Sequence, residues 1–90
     1  MIDLQVPGEM PFGSDLVVKV VVKARQATVD VTVTESNGTQ TTLSDYGSNP
    51  DGEVILYFRF KPRVSGQCTV TAIASIGRRR FSANAKVLIY

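Results

Sequence analysis

The densest run of reactive charge in this sequence is Arg78-Arg79-Arg80. Three successive guanidiniums offer planar, permanently charged forks that suit phosphate, sulfated glycan or an acidic protein surface. Arg63, Arg59 and Lys61 would enlarge such a patch if folding brought them to the same end, with Tyr57 supplying an aromatic face. The plainer alternative is a solvated turn whose charges keep a hairpin from aggregating. A second cluster is rich in oxygen: Asp45, Asn49, Asp51 and Glu53 fall in one loop, residues 45–53, that also holds Pro50 and Gly52. Calcium takes six to eight such ligands, but Pro50 and the spacing depart from the regular calcium-loop pattern, and the same residue types build ordinary turns. Cys68 falls on an apolar row, where a small buried hydrophobe is a better reading than a reactive thiol, because no neighbouring cation or helix terminus lowers its pKa. Asn37-Gly38-Thr39 fits a glycosylation acceptor triplet at a turn. Tyr46, Tyr57 and Tyr90 could form a glycan-stacking strip.

What is missing narrows the chemistry further. The 90 residues contain no histidine, no tryptophan and one cysteine. There is therefore no imidazole to act as general base near neutrality, no serine–histidine or cysteine–histidine pair, and no histidine-based metal site. No catalytic set and no cofactor are implied. A lone cysteine cannot close a disulfide within the chain, so the fold must rest on packing. Net charge is +2, yet residues 1–52 carry seven acids against three bases, whereas residues 53–90 carry one acid against seven bases. A fold that interleaves strands from both halves would mix these charges. The hydrophobic fraction of 43% and charged fraction of 20% suit a single globular domain over residues 1–90, without an apolar run able to span a membrane or a signal-peptide start.

The elements that must hold these residues are strands. Leu16, Val18, Val20, Val22 and Ala24 alternate with Lys19 and Lys23; Val29, Val31 and Val33 alternate with Thr28, Asp30, Thr32 and Thr34. Val54, Leu56, Phe58 and Phe60 form a third row, Cys68, Val70, Ala72 and Ala74 a fourth, and Phe81, Ala83, Ala85, Val87 and Ile89 a fifth. Period two is the mark of a half-buried strand. Residues 2–6 and 39–43 are shorter candidates, and Pro7-Gly8, Pro11 to Ser14, Asn37-Gly38, Asn49 to Gly52, Pro62 with Gly66, and Gly77 separate the runs. About seven short strands with no helical stripe predict an all-β, antiparallel two-sheet sandwich. Val17, Val21, Ile55, Tyr57 and Ile73 lie on the outward parity of their strands and are more apolar than a solvated face requires. Exposed together they would mark an interface.

Residues 51–90 carry a resemblance. Asp51-Gly52-Glu53-Val54 opens the segment, Ser65-Gly66-Gln67-Cys68-Thr69-Val70-Thr71-Ala72 follows, and Ser82-Ala83-Asn84-Ala85-Lys86-Val87 closes it. This order of turn residues and Thr-Val-rich strands resembles the C-terminal half of bacterial immunoglobulin-like modules of the invasin and intimin stalks, and is similar to filamin repeats. The resemblance implies an immunoglobulin-like β-sandwich without an intradomain disulfide, used as a non-catalytic spacer, adhesin segment or interaction domain. It transfers no functional residue.

The expectation is thus a structural and interaction module of a longer extracellular, cell-surface or virion protein, with other protein domains or subunits as partners. A glycan or acidic ligand at the Arg78–Arg80 loop is the alternative. Nucleic acid is not expected, since single-strand platforms interleave aromatics with charges and Phe81 falls on the inward row.

Overall fold

The computed structural model describes residues 2–90. Eight strands follow one another: β1 (Ile2–Gln5), β2 (Glu9–Met10), β3 (Leu16–Val22), β4 (Gln26–Thr34), β5 (Gln40–Ser48), β6 (Val54–Phe60), β7 (Gly66–Ile76) and β8 (Arg79–Ile89). They form a three-stranded sheet in the order β1-β3-β6 and a five-stranded sheet in the order β2-β8-β7-β4-β5. The chain passes between the sheets at every connection except β4 to β5 and β7 to β8, and β5 and β6 are the open edges on the same side of the sandwich.

Alternation decides which face each strand buries. Leu16, Val18, Val20 and Val22 of β3 and Val54, Leu56, Phe58 and Phe60 of β6 point inward from one sheet, and Ala27, Val29, Val31 and Val33 of β4 with Cys68, Val70, Ala72 and Ala74 of β7 meet them from the other. β-Branched valine suits this pleated, one-sided burial, which is why the core is largely valine. Outward, the five-stranded sheet presents hydroxyls and amides in register, with Thr42, Thr32, Thr71 and Asn84 in one row and Gln40, Thr34, Thr69 and Lys86 in the next.

The predicted all-β sandwich is the observed one, with three differences in detail. An eighth strand, β2, adds a two-residue parallel contact to β8, in an otherwise antiparallel pairing pattern. Residues 45–48, expected in a loop, extend β5. Phe81, Ala83 and Ala85, expected in the core row, are only half-buried, and Val87 and Ile89 complete the burial of β8. The reason is length: β1 has 4 residues and β8 has 11, so the smaller sheet cannot cover the first half of β8.

Cys68 is 1% exposed and unbonded to another cysteine. Burial pushes its thiol above the usual value of 9.0, and the nearby negative charge of Glu35 adds to the shift. Near neutral pH both folded and unfolded chains keep the proton. As pH rises past 9.0 the unfolded thiol ionises first, so the fold loses stability through this group, by at most about 1.4 kcal/mol per pH unit. Two outcomes are expected: native Cys68 resists a thiol reagent at pH 8 until the chain is unfolded, and Cys68→Ala flattens the fall in melting temperature between pH 8 and pH 10. Rapid labelling of the folded chain would contradict the first.

Candidate functional site

The sandwich has two ends, and the cationic residues divide between them. At one end β7 turns into β8 through Gly77 and Arg78, with Ile76 paired to Arg79 and Ser75 to Arg80. Gly77 takes a φ of 60°, and no non-glycine residue among those described has positive φ, so the strain of this two-residue turn sits on glycine alone. Only Arg78 is in the turn itself. The Arg79 guanidinium lies 5.6 Å from the centroid of the Phe81 ring, a cation–π contact on the inward side of β8. Arg80 shares its row with Ser75 and Thr28 on the outward side. Successive strand residues point to opposite faces, so the three guanidiniums diverge and do not form one clamp.

Arg63 belongs to the other end. It lies just before β7 begins at Gly66, and the 11 residues of that strand separate it from Arg78, a length of about 33 Å. The structure therefore separates Arg63, and with it Arg59 and Lys61, from the arginine turn. Tyr57 is on the outer face of the three-stranded sheet, next to Lys19, whose ammonium lies 6.0 Å from its ring centroid. Tyr46 is on the outer face of the opposite sheet, where its hydroxyl donates to Gln26 Oε1 at 2.9 Å, and Tyr90 follows β8. The expected tyrosine strip is thereby divided among separate surfaces, because Tyr46 and Tyr57 sit on different sheets.

The oxygen-rich cluster is likewise dispersed. Asp45 is in β5, opposite Val29. Asn49 organises the turn after it: its Oδ1 accepts the N–H of Asp51 at 3.0 Å and its Nδ2 donates to the Glu53 carbonyl at 2.8 Å. Glu53 is ion-paired with Lys23. Among the described residues no three acidic, cysteine or histidine side chains gather at one point. Asn37 is exposed at the tip between β4 and β5, its Oδ1 accepting the N–H of Thr39 at 3.0 Å.

The apolar outward residues also split. Val17, Val21, Ile55 and Tyr57 share the outer face of the three-stranded sheet, where Val21 pairs with Ile55 and Lys19 with Tyr57. Ile73 lies on the far side, in a row with Asp30 and Ser82 of the five-stranded sheet. Of the five residues expected at an interface, four thus share one face, where Lys19 stands between Val17 and Val21 and opposite Tyr57, and Asp3, Gln5 and Arg59 lie alongside.

Two features escaped the sequence reading. Glu35 is 4% exposed at the end of β4; its Oε1 accepts the N–H groups of Arg63 at 2.7 Å and Val64 at 3.3 Å. Ser36 reinforces the contact by donating to the Ser65 carbonyl at 2.6 Å. The carboxylate therefore ties the β4–β5 turn to the segment entering β7. The second feature is a groove of about 600 Å³ at this end, lined by Thr41 of β5 and by Arg59, Phe60, Lys61, Pro62 and Arg63 at the end of β6. Parity carries a signal for both: Glu35 continues the inward series 27, 29, 31, 33, and Arg59, Lys61 and Arg63 continue the outward series 55, 57.

Two sheets in this order, with the chain passing between them at every connection except the β4–β5 and β7–β8 hairpins, define an immunoglobulin-like β-sandwich without a disulfide. Among solved structures, the chain is similar to the CARDB domain of the PF1109 protein from Pyrococcus furiosus, determined in complex with di-metal ions. That domain is 16% identical, with a TM-score of 0.71, and the alignment covers 99% of this chain and 85% of the other. At this identity the likeness concerns the fold. No family model matches the chain, and no curated protein matches it.

Proposed function

We propose that this chain is a non-catalytic structural and interaction module of a longer surface or virion protein, holding neighbouring domains apart and binding one of them, or another subunit, through the outer face of its three-stranded sheet. The observation that carries this reading is the patch of Val17, Val21, Ile55 and Tyr57. Ile55 is 44% exposed and Tyr57 is 64% exposed, on a rigid sheet whose opposite face is fully committed to the core. Apolar side chains on a flat strand surface gain from being covered, and the charges of Lys19 among them and of Asp3 and Arg59 beside them would set the orientation of the partner. The fold neighbour is itself named as a domain of a protein, which supports a modular role. Its metal ions suggest no equivalent here, since Glu53 and Asn49 are already engaged within the chain. Use as an adhesin-stalk segment, of the invasin and intimin kind, is the specific form of this proposal.

Hydroxyl-radical footprinting tests it. Ile55 and Tyr57 are expected to be several-fold less reactive in the intact protein that contains this segment than in the 90-residue chain alone. Equal reactivity in the two samples would show that nothing covers the face.

A further inference from the structure

The seam between the two open edges is tight at Gly47 and wider toward the start of β5. Near Gly47, β5 packs directly on Val54 and Leu56 of β6. Toward the start of β5 the edges part, and the groove of about 600 Å³ opens between Thr41 and the segment from Arg59 to Arg63. Arg59, Lys61 and Arg63 are exposed, while Phe60 and Pro62 between them are buried. Burial alternates beyond the end of β6 at Phe60 as far as the bend at Arg63, with a cation at every second position, about 6.6 Å apart at strand spacing. Arg59 has one loose carboxylate neighbour, Asp15 at 4.0 Å. Lys61 and Arg63 have no ion-pair partner among the described residues. Glu35 fixes the backbone of Arg63 and Val64 from behind, so the row is positioned before any ligand arrives.

We propose that this groove binds an extended acidic peptide, with carboxylates on alternate residues facing Arg59, Lys61 and Arg63. Charge and period both favour that occupant. A strand-like peptide repeats its side chains at the same spacing as the row it would face, so each carboxylate meets one cation. β6 pairs with β3 on one side only, so its other edge offers unpaired backbone groups up to Phe60, where a peptide can add as a strand and continue past Lys61 and Arg63. A nucleic acid or sulfated glycan could use the charges but not that edge. The groove contains no second aromatic for base stacking, since Phe60 is buried beneath the row. Thr41 supplies a hydroxyl on the opposite wall. The inference rests on the reading of the chain as an interaction module; its groove adjoins the apolar patch at Arg59, but Lys61 and Arg63, on which the test rests, lie beyond the strands that carry the patch, so each can fail without the other.

Fluorescence anisotropy with synthetic probes decides the matter. The first probe is a labelled ten-residue peptide of alternating glutamate and valine; the second has the same residues with its glutamates contiguous; a heparin fragment and a single-stranded oligonucleotide are the other arms. The alternating peptide is expected to bind more tightly than the contiguous one, with an affinity that weakens as salt rises. Lys61→Glu combined with Arg63→Glu should reduce that affinity by about tenfold or more. Arg78→Ala combined with Arg79→Ala should leave it within about twofold. Both pairs are exposed, so an unchanged melting temperature verifies that the variants fold. Amide NMR shifts on peptide addition should cluster at residues 56–63. No binding of the alternating peptide, equal loss with the Arg78 pair, or preference for heparin or the oligonucleotide would overturn the proposal.

Discussion

Replacing Gly47 with valine is expected to lower the stability of the sandwich by about 3 kcal/mol, and alanine by about half as much, measured by urea unfolding. The cause is a close approach, not backbone freedom. A Cβ at position 47 would overlap Val54 Cγ1 and lie 3.1 Å from Leu56 Cδ2. Neither atom can swing away: Val54 is 2% exposed and Leu56 8% exposed, each wedged among core neighbours. β5 must then lift from β6 where Gly47 meets Val54. Removing the obstructing methyl supplies the check. Val54→Ala alone should cost about 1–2 kcal/mol through the space it leaves. Combined with Gly47→Ala, the two losses should fall short of their sum by about 1 kcal/mol, since each change relieves the other. Strictly additive losses would mean that the contact with Val54 is not the source. The same experiment bears on the groove, because lifting β5 at Gly47 would alter how far the open end gapes and so the affinity for the alternating peptide.

How the fold and its sites were legible follows from what strands reveal. Inward parity in a strand depends only on local alternation, so the rows of β3, β4, β6 and β7 and the absence of helix could be read directly from Leu16, Val29, Leu56 and Val70 and their neighbours. Gly47 was obscured because a glycine beside Asn, Pro and Asp has the composition of a turn; only its contact with Val54 shows why a strand carries it. Which sheet a strand joins is a property of distant pairing. Ile73 and Ile55 have the same outward parity, yet β7 pairs with β4 and β6 with β3, so they face opposite directions. The arginines show the same limit: Arg63 and Arg78 are close in number but stand at opposite ends of β7. Charge counts along the chain had suggested a basic half, and the fold converts it into a divergent trio at one end and an aligned trio at the other.

The aligned trio depends on Glu35, and the second large effect is expected there. Glu35→Ala should destabilise the chain by about 2–4 kcal/mol, because the N–H groups of Arg63 and Val64 would lose their acceptor in a partly buried site. Glu35→Gln distinguishes hydrogen bonding from charge. Its amide oxygen can still accept both N–H groups, and its uncharged side chain removes a buried anion whose second oxygen, Oε2, has no hydrogen-bond partner. Glutamine should therefore remain within about 1 kcal/mol of the native chain. It should also bring the Cys68 thiol back toward its usual range, since the Glu35 charge is the lesser of the two causes that raise it and burial would persist. Alkylation rates measured across alkaline pH on the folded variant report that movement. A glutamine variant as unstable as the alanine one would show that the charge itself secures the 63–64 segment, through the cations of the groove that Glu35 underlies. In that case Lys61→Ala and Arg63→Ala should each weaken the fold as well as peptide binding, whereas a hydrogen-bonding role predicts that they weaken binding alone.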